Sequence, residues 1–480
     1  MRADCIYCLL AVVVLAGRAT GQTCTMQWGN LTPTPNLNGI VHALTVHDED
    51  ATGPKRQSLY LGGTFLNAGG LSASRIARWD GAAWYALGLG ITGASVFSLQ
   101  EYDEDGTGPN KAQLFVGGNF TQAGGFEAYN IARWNGTGWT AVGIGLNGPA
   151  YAMVVYDEDG TGPQKPNLIV GGLFTLAGGS PANRIARWNG SAWSALGDGL
   201  NGYCAALTVF DEDGTGPQKP NLFAGGGFTV AGAGIASHVA RWNGSAWSSL
   251  VVFPNPDGVD GTVYTLLAAD DDGSGARPTA LFVGGAFSSA GGIAASNIAR
   301  WTGTQWTTVG AGLNAPPFAM SVFDPDGSGS QQPALYVAGS FTQAGGTSAN
   351  RVARWNGSTW AGLDTGTNGE VRATAVYDDD GTGSNLSGLY TGGQFTLAGT
   401  RTVSNLARWM CLPPEGRPGD LNCDNVVNFN DIDPFVLALS GPAGYQAAYP
   451  NCRYLNADCN NDGLVNFNDI DAFVALLSGG

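Results

Sequence analysis

A tripeptide that returns at nearly constant intervals is the feature of this sequence that most restricts its fold. Ala-Arg-Trp occurs seven times, and its arginines are Arg78, Arg133, Arg187, Arg241, Arg300, Arg354 and Arg408. They are separated by 55, 54, 54, 59, 54 and 54 residues. A fixed period of this length indicates one supersecondary unit per repeat, stacked on its neighbours to bury what a single unit leaves exposed.

Each repeat has the pattern of a four-stranded antiparallel blade. In the third repeat, an apolar run at 150–156 precedes an acidic turn, a second run at 167–179 and the run with Ala-Arg-Trp. Asn-Gly pairs supply the positive φ angles of tight hairpins, so the third and fourth strands pair directly. They lie at 135–136, 189–190, 243–244 and 356–357. Because blades packed radially cover each other's faces, the sequence predicts an all-β, seven-bladed propeller over residues 22–410.

The strand ending in Gly-Gly, the Phe after it and the hairpin with paired tryptophans form a recognisable combination. It resembles kelch-like propellers and, more closely, the bacterial and fungal surface propellers related to cortical polarity markers. The resemblance covers residues 24–410. The period is longer than in kelch repeats and the first loop is acidic, so the partners of kelch proteins do not carry over.

The two ends of the array predict how the ring closes. The last repeat stops at Met410 without an outer strand, and the segment 26–39 matches that missing piece. We therefore expect the N-terminal strand to complete the seventh blade and leave no free sheet edge. This alignment places Cys24 and Cys411 close enough to form a disulfide.

The first 21 residues have the pattern of a secretory signal peptide, with a basic start, a short apolar core and small residues at the end. The apolar run is shorter than a membrane span needs, which favours cleavage and secretion over an uncleaved anchor helix and predicts no membrane insertion. An exported chain permits disulfides. Cys204 is expected to be a buried, inert thiol, and the pairing among Cys423, Cys452 and Cys459 stays open.

After a linker at 411–418, the composition changes and two near-copies of a twelve-residue acidic loop follow, each preceding a helical pattern. Calcium prefers six to eight oxygen ligands, and such loops supply them from positions 1, 3, 5, 7, 9 and 12. The predicted ligands are Asp420, Asn422, Asp424, the Val426 carbonyl, Asn428 and Asp431, then Asp458, Asn460, Asp462, the Leu464 carbonyl, Asn466 and Asp469. We expect residues 419–480 to form a small α-helical, EF-hand-like domain with two calcium ions.

Asp at position 12, one helix after each loop and the duplication make this region resemble a type I dockerin. The resemblance implies two bound calcium ions and docking onto a cohesin domain. In that family, loop positions 10 and 11 recognise the partner. Those positions hold Phe429 and Asn430, then Phe467 and Asn468, in place of the usual small hydroxyl residues. The expected partner is therefore a cohesin-like or another surface protein.

Charge excludes some functions and raises a question about the first loop of every blade. The net charge of −16 argues against nucleic acid and anionic membranes. Asp-x-Asp motifs in these loops hold 20 of the 38 carboxylates. They fit either weak calcium sites and an acidic adhesion surface, or soluble turns that Asp and Gly build. The repeated arginines are expected to pair with nearby carboxylates or to stack on Trp.

Motifs for catalysis are scarce in this chain. Three Gly-x-Gly-x-x-Gly matches are followed by strands, without the helix that a dinucleotide requires. A longer loop at 253–261 offers Asp257 and Asp260 as carboxylates outside the repeat pattern. The favoured function is an exported, non-enzymatic binding or adhesion protein whose propeller binds a glycan or a protein. The alternative is a polysaccharide-active enzyme on a propeller scaffold.

Overall fold

The structure is a computed structural model. It describes residues 25–29, 31, 33–49, 56–106, 111–160, 165–214, 219–250, 258–271, 279–325, 332–379, 387–412, 418–423, 426–449, 452, 454–460 and 464–477. Contacts divide the chain into the unit Met26–Cys411 and a second unit that includes Leu412–Gly480. Within these ranges no helix is long and apolar enough to cross a membrane. The predicted signal peptide lies outside the described residues.

The larger unit is built from repeated four-stranded sheets. An N-terminal strand, β1 (Thr25–Gly29), comes first. The first blade contains β2 (Val41–His47), β3 (Ser58–Gly63), β4 (Asn67–Ala68), β5 (Leu71–Ser72), β6 (Ile76–Trp79) and β7 (Trp84–Ala86). The second contains β8 (Ile91–Tyr102), β9 (Gln113–Ala123), β10 (Phe126–Glu127), β11 (Ile131–Trp134) and β12 (Trp139–Ala141). The third contains β13 (Ala150–Tyr156), β14 (Asn167–Gly172), β15 (Leu176–Ala177), β16 (Ser180–Pro181), β17 (Ile185–Trp188) and β18 (Trp193–Ala195).

The remaining blades repeat this plan. The fourth contains β19 (Cys204–Phe210), β20 (Asn221–Gly226), β21 (Val230–Ala231), β22 (Gly234–Ile235), β23 (Val239–Trp242) and β24 (Trp247–Ser248). The fifth contains β25 (Thr262–Ala269), β26 (Ala280–Ala286), β27 (Ser289–Ala290), β28 (Ile293–Ala294), β29 (Ile298–Trp301) and β30 (Trp306–Thr308). The sixth contains β31 (Pro317–Phe323), β32 (Ala334–Gly339), β33 (Gln343–Ala344), β34 (Thr347–Ser348), β35 (Val352–Trp355) and β36 (Trp360–Gly362). The seventh contains β37 (Val371–Tyr377), β38 (Gly388–Gly393), β39 (Leu397–Ala398), β40 (Arg401–Thr402) and β41 (Leu406–Leu412).

Strand order within a blade follows the chain from the inner to the outer strand, as in β13-β14-β17-β18, and a small hairpin such as β15-β16 projects from the second-to-third connection. The inner strands β2, β8, β13, β19, β25, β31 and β37 are neighbours in turn, and β37 returns to β2. Inner strands that meet all the way round enclose a central channel. The predicted seven-bladed β-propeller is confirmed.

The seventh blade combines the two ends of the propeller sequence. Its sheet order is β1-β41-β38-β37, so β1 is the outer strand that the last repeat lacks. Tryptophans confirm the equivalence: Trp139 of the second blade donates its indole N–H to the Leu87 carbonyl of the first at 2.8 Å, and Trp28 on β1 donates to Leu363 of the sixth at 3.2 Å. The predicted closure by the N-terminal strand is correct. Cys411 is disulfide-bonded, while its expected partner Cys24 lies outside the described residues.

Hydrophobic clusters lie between blades and draw on two of them at once. One cluster joins Tyr156 and Ile169 of the third blade to Leu222 and Phe228 of the fourth, all at most 1% exposed. The Gly-Gly end of each second strand lets neighbours approach closely. A Cβ at Gly171 would lie 2.5 Å from the Cys204 sulfur of the next blade. Burial of apolar surface between blades is therefore what holds the ring together.

The smaller unit is helical, as predicted for the C-terminal region. It contains α1 (Ile432–Leu439), α2 (Pro442–Ala448) and α3 (Ile470–Leu477), with short 3-10 helices at Phe429–Asp431, Tyr454–Ala457 and Phe467–Asp469. The rings of Phe435 on α1 and Phe473 on α3 stack at 4.1 Å and form the centre of its core. Helix α2, which begins at a proline in its first turn, was not among the predicted elements.

Candidate functional site

The smaller unit buries four carboxylates of its two loops. Asp420 and Asp431 of the first loop are 4% and 0% exposed, and Asp458 and Asp469 of the second are 8% and 0% exposed. The described residues between 418 and 477 include no lysine or arginine. Carboxylates are costly to bury as anions, so this oxygen-rich donor set fits a bound cation with a preference for oxygen ligands.

The carboxylates at position 12 accept hydrogen bonds from the backbone of their own loops. Asp431 accepts backbone N–H groups from Leu421 at 2.7 Å, Asn422 at 3.0 Å and Asn428 at 2.9 Å. Asp469 accepts from Asn460 at 3.2 Å and from Asn466 at 2.9 Å. These bonds draw each loop around its last carboxylate. The two loops therefore share one internal architecture, as their near-identical sequences predict.

The other predicted ligands fall into two groups. Asn428 and Asn466 cap the short helices that follow, accepting from the N–H groups two residues ahead at 2.7 and 2.8 Å. The Val426 carbonyl lies 3.4 Å from the Asn428 amide. The third carboxylate of each loop, Asp424 or Asp462, lies outside the described residues. Among the described residues alone, no group of three or more acidic, His or Cys side chains gathers closely enough to hold a metal.

A repeated apolar surface accompanies the loops. Phe429 and Phe467, at loop position 10, are 78% and 75% exposed, and an isoleucine and a valine on the helix after each loop are also exposed. These residues are Ile432 and Val436 on α1, and Ile470 and Val474 on α3. We call these six residues the paired apolar surface. Asn430 and Asn468, the other predicted contact residues, lie beside the phenylalanines and are exposed.

The cysteines left open by the sequence are assigned by the structure. Cys423 of the first loop pairs with Cys452, across 29 residues and a Cα–Cα distance of 5.7 Å. Cys459 is a buried free thiol, and burial followed by the nearby Asp469 raises its pKa to about 12. Cys204 is likewise free and fully buried, with a pKa raised by burial to about 12. Both thiols are protonated at neutral pH and unreactive.

The middle residue of the Asp-x-Asp motif links two blades where it is a glutamate. Glu212 of the fourth blade contacts Arg241 of its own blade at 2.6 Å and accepts the indole N–H of Trp301 in the fifth at 2.9 Å. We call this acid the rim carboxylate. The first four blades use Glu49, Glu104, Glu158 and Glu212 in this way. The arginine of Ala-Arg-Trp therefore pairs with a carboxylate, one of the two roles expected from the sequence.

Shorter or missing acids change this arrangement in the last three blades. Asp271 in the fifth accepts from Trp355 of the sixth at 2.8 Å but lies 4.0 Å from Arg300. Asp379 in the seventh pairs with Arg408, and the indole nitrogen of Trp79 has no hydrogen-bond partner among the described residues. The sixth blade has the buried Pro325 at this position. One methylene less lets an aspartate satisfy one partner where a glutamate satisfies two.

The flanking aspartates of the same motifs build turns. Asp103 accepts the N–H groups of Asp105 and Gly106, both at 3.1 Å, and Asp157 does the same in the next blade. Self-contained turns of this kind support the interpretation that Asp and Gly form a soluble loop.

The acidic loops follow the C-terminal ends of the inner strands. Near the N-terminal end of its inner strand, each blade has a β-bulge. In the first, the register with β3 shifts between Val41 and Ala43, so His42 is the extra residue. Both flanking side chains are buried while His42 is half-buried. A bulge breaks the alternation of a strand and redirects one side chain. The residues at this position are His42, Phe97, Tyr151, Ala205, Tyr264, Phe318 and Arg372.

Aromatic and cationic side chains at or near these positions form two runs of contacts around the channel. His42 meets Phe97 at 5.3 Å, and Phe97 meets Tyr151 at 5.4 Å, both edge to face. In the fourth blade the bulge residue is Ala205, and Tyr203, two residues earlier, packs at 6.4 Å from Tyr151. We call His42, Phe97, Tyr151, Tyr203, Tyr264, Phe318 and Arg372 the channel belt.

The second run of contacts ends at the charged member of the belt. Tyr264 meets Phe318 at 5.6 Å, and the Arg372 guanidinium lies 5.1 Å from the Phe318 ring centre. Arg372 also pairs with Glu370 at 2.5 Å. Burial, and then the Arg372 charge, lower the pKa of His42 to about 4, so its imidazole is neutral at pH 7. Burial, and then the nearby Tyr203 phenol, raise the pKa of Tyr264.

Of the two carboxylates outside the repeat pattern, Asp260 lies among the described residues and accepts hydrogen bonds from the backbone of a nearby loop. Asp260 accepts the backbone N–H groups of Ser288 at 2.8 Å and Ser289 at 2.9 Å. Asn147 accepts in the same way from the N–H groups 28 and 29 residues ahead, as do the corresponding asparagines of other blades. Burial opposes ionisation of Asp260, but bonds from Ser288 and Ser289 hold its pKa below the usual value. Asp257 lies outside the described residues.

The channel belt was missed by the sequence analysis, although a signal for it exists. Its bulge positions follow the repeat intervals of 55, 54, 54, 59, 54 and 54 residues. Four of the seven residues at this position are Phe or Tyr, which is more than the small and aliphatic residues around it would suggest. Aligning the repeats column by column would have identified the position. The side chains of the belt come together because of the β-bulges, and no local sequence pattern predicts those bulges.

Comparisons with known proteins agree with the fold and say little about function. A family model described as "Domain of unknown function (DUF5122) beta-propeller" matches residues 335–357, within the sixth blade. No curated protein matches the chain. Among solved structures, BBS1N, crystallised in complex with ARL6DN, is 13% identical with a TM-score of 0.46, covering 81% of this chain and 98% of that one. Sqt1 of Saccharomyces cerevisiae is 13% identical with a TM-score of 0.42, covering 82% and 100%.

The GH74 enzyme of Niastella koreensis is a more distant match among solved structures. It is 12% identical with a TM-score of 0.26, covering 79% of this chain and 75% of that one. Likenesses this weak transfer no activity. The arrangement of its strands and helices defines the chain as a seven-bladed β-propeller with a small helical unit.

Proposed function

We propose that the chain is an exported binding protein in which the propeller is a rigid ligand platform and the C-terminal unit attaches it to a partner in a calcium-dependent way. The observation that carries the proposal is the combination within one small unit of four buried carboxylates with a duplicated, exposed apolar surface. The carboxylate oxygens are ligands that suit calcium, and an exposed apolar surface of this kind is typical of a protein-binding site.

Calcium and attachment are coupled by chain geometry. The residue at position 12 of each loop lies immediately before a helix. Asp431 directly precedes α1, and Asp469 directly precedes α3. An ion held by the loop would fix the start of the helix that carries Ile432 and Val436, or Ile470 and Val474. Binding of calcium would then order both halves of the paired apolar surface.

The proposed partner is a protein with an apolar docking face, such as a cohesin domain. The paired apolar surface presents the same three residue types twice, Phe-Ile-Val, so either half fits the same partner site. The resemblance to type I dockerins supports this choice. The phenylalanines at position 10 would make the contact more apolar than the hydroxyl residues usual in that family.

The test measures binding of the full chain to an immobilised type I cohesin domain, with calcium and with EDTA. We expect binding only with calcium. Phe429→Ala and Phe467→Ala should each leave one intact half and retain binding, while the double variant should lose it by about tenfold or more, the usual cost of losing central aromatic contacts. Phe126→Ala, an exposed aromatic residue of the propeller, is the matched control. Equal binding in EDTA, or no loss in the double variant, would contradict the proposed attachment.

A further inference from the structure

We propose that the channel belt is a binding site for the terminal unit of a neutral saccharide. This inference rests on the proposed ligand platform and names its ligand and its site. The first observation is the arrangement itself, in which seven side chains, one from each blade, form two runs of contacts at one end of the channel. The first run joins His42 to Tyr203 and the second joins Tyr264 to Arg372. Ring closure is required to assemble it, so the site belongs to the complete propeller.

The chemistry of the lining selects the ligand class. Edge-to-face contacts, as between Phe97 and Tyr151 at 67°, leave part of each ring face uncovered. Aromatic faces attract the C–H surfaces of pyranose rings, and phenol groups exchange hydrogen bonds with sugar hydroxyls. Tyr151, Tyr203 and Tyr264 place three phenols on adjacent blades, and all three side chains are half-buried. Apolar faces with a few polar groups are typical of small-ligand sites.

Charge indicates a neutral sugar. Arg372 is neutralised by Glu370 at 2.5 Å, and its guanidinium is held over Phe318. The belt contains no further charged side chain at neutral pH, because the pKa of His42 is depressed to about 4. An acidic sugar would need a cation that is not already paired, and the belt does not offer one.

In the fourth blade the belt departs from the repeat, and its aromatic side chain comes from a different position. Where Ala205 stands at the bulge, Tyr203 supplies the aromatic ring from a position that other blades fill with residues such as Ile40 and Pro149. Space for that ring exists because residue 227 is glycine. A Cβ there would clash with Tyr203, and the other six blades carry a side chain at this position.

The experiment is calorimetric titration of the full chain, with calcium present, against cellohexaose, xylohexaose, mannohexaose, laminarihexaose and the acidic tetragalacturonate. We expect at least one neutral hexasaccharide to bind and tetragalacturonate not to bind. Tyr203→Ala and Phe97→Ala should weaken binding by about tenfold. Tyr203→Phe and Tyr151→Phe keep the packing and should weaken it by about threefold, consistent with one lost hydrogen bond. Phe126→Ala should change nothing.

The possible outcomes distinguish the proposed saccharide site in the channel belt from the more general proposal that the propeller is a ligand platform. Neutral saccharide binding that is unaffected by the belt variants would overturn the belt and leave a ligand platform elsewhere on the propeller. Binding of tetragalacturonate with the same belt dependence would overturn the neutral ligand class. If no neutral hexasaccharide binds, the proposal is wrong, whereas attachment is judged by its own calcium-dependent cohesin assay. The phenylalanine variants keep the test valid should the alanine variants fail to fold.

Discussion

The propeller and the C-terminal unit treat buried carboxylates in opposite ways. In the propeller, Glu212 is met by a guanidinium of its own blade at 2.6 Å and an indole N–H of the next at 2.9 Å. In the C-terminal unit, Asp431 and Asp469 are fully buried and receive backbone N–H groups, without a described lysine or arginine. The propeller balances its buried carboxylates with its own side chains, whereas in the C-terminal unit the proposed calcium ions would balance them.

Chelation tests this difference most directly. EDTA should unfold the C-terminal unit and leave the propeller folded, because mutual repulsion of the loop carboxylates is balanced only by the ion. Circular dichroism should show loss of helix with β structure retained, and calorimetry of the full chain should show two calcium ions bound.

Single substitutions refine the chelation result. Asp420→Ala should abolish one proposed site and spare the other, since Asp458 begins the second predicted ligand set. Asp433→Ala, a change outside the predicted ligands, is the control. A C-terminal unit that stays helical in EDTA would contradict the calcium assignment.

Removing a rim carboxylate should give the next largest effect. Glu158→Leu leaves Arg187 and the Trp242 indole N–H without their shared acceptor, which should cost about 3 kcal/mol of unfolding free energy. Denaturant unfolding of the propeller measures this cost. Glu127→Leu, at an exposed glutamate, is the control and should stay within about 0.5 kcal/mol of the parent. Equal stability of the two variants would show that the rim carboxylates do not join the blades.

His42 predicts a pH dependence inside the propeller. Its folded pKa of about 4 lies below the unfolded value of 6.5, so the unfolded chain takes up an extra proton as pH falls below 6.5. Stability is therefore complete above pH 6.5 and is lost progressively toward pH 4, by about 2 kcal/mol at pH 4.5. His42→Phe, the residue type of the second and sixth blades, should remove this part of the loss. Parallel pH profiles of the two proteins would contradict the assignment.

The smallest predicted effect is a gain. Pro325→Glu restores a rim carboxylate to the sixth blade, where Arg354 and Trp409 occupy the positions of its two partners. We expect about 1 kcal/mol of added stability, provided the loop accommodates the change from proline. Pro325→Gln keeps a similar size without the charge and should gain less. A loss of stability in both variants would show that the proline fixes the turn.

The repeat and its closure could be predicted because they depend on local information. Asn-Gly hairpins and a constant period define each blade, and the missing outer strand defines the role of β1. The duplicated loops are equally local, since twelve consecutive residues supply the proposed ligands. Helix α2 was missed because its short Ala- and Gly-containing stretch has no apolar period.

The inter-blade contacts could not be predicted for a physical reason. Glu104 and Trp188 are 84 residues apart, and their hydrogen bond depends on the angle between successive blades. The channel belt depends on bulges that shift register within a strand, as between Val371 and Ala373. A sequence shows that an acid or a ring recurs, but it does not show which neighbour the side chain meets.

The composite seventh blade has a mechanical consequence. If the C-terminal unit anchors the protein, a pull on the chain enters the propeller at Leu412, the last residue of β41. That strand lies between β1 and β38, so a load along its axis must shear two rows of hydrogen bonds together, whereas an edge strand would peel away one bond at a time. Because the N-terminal strand lies outside β41, the load enters the propeller through an interior strand of a sheet. Both neighbouring strands then resist the pull.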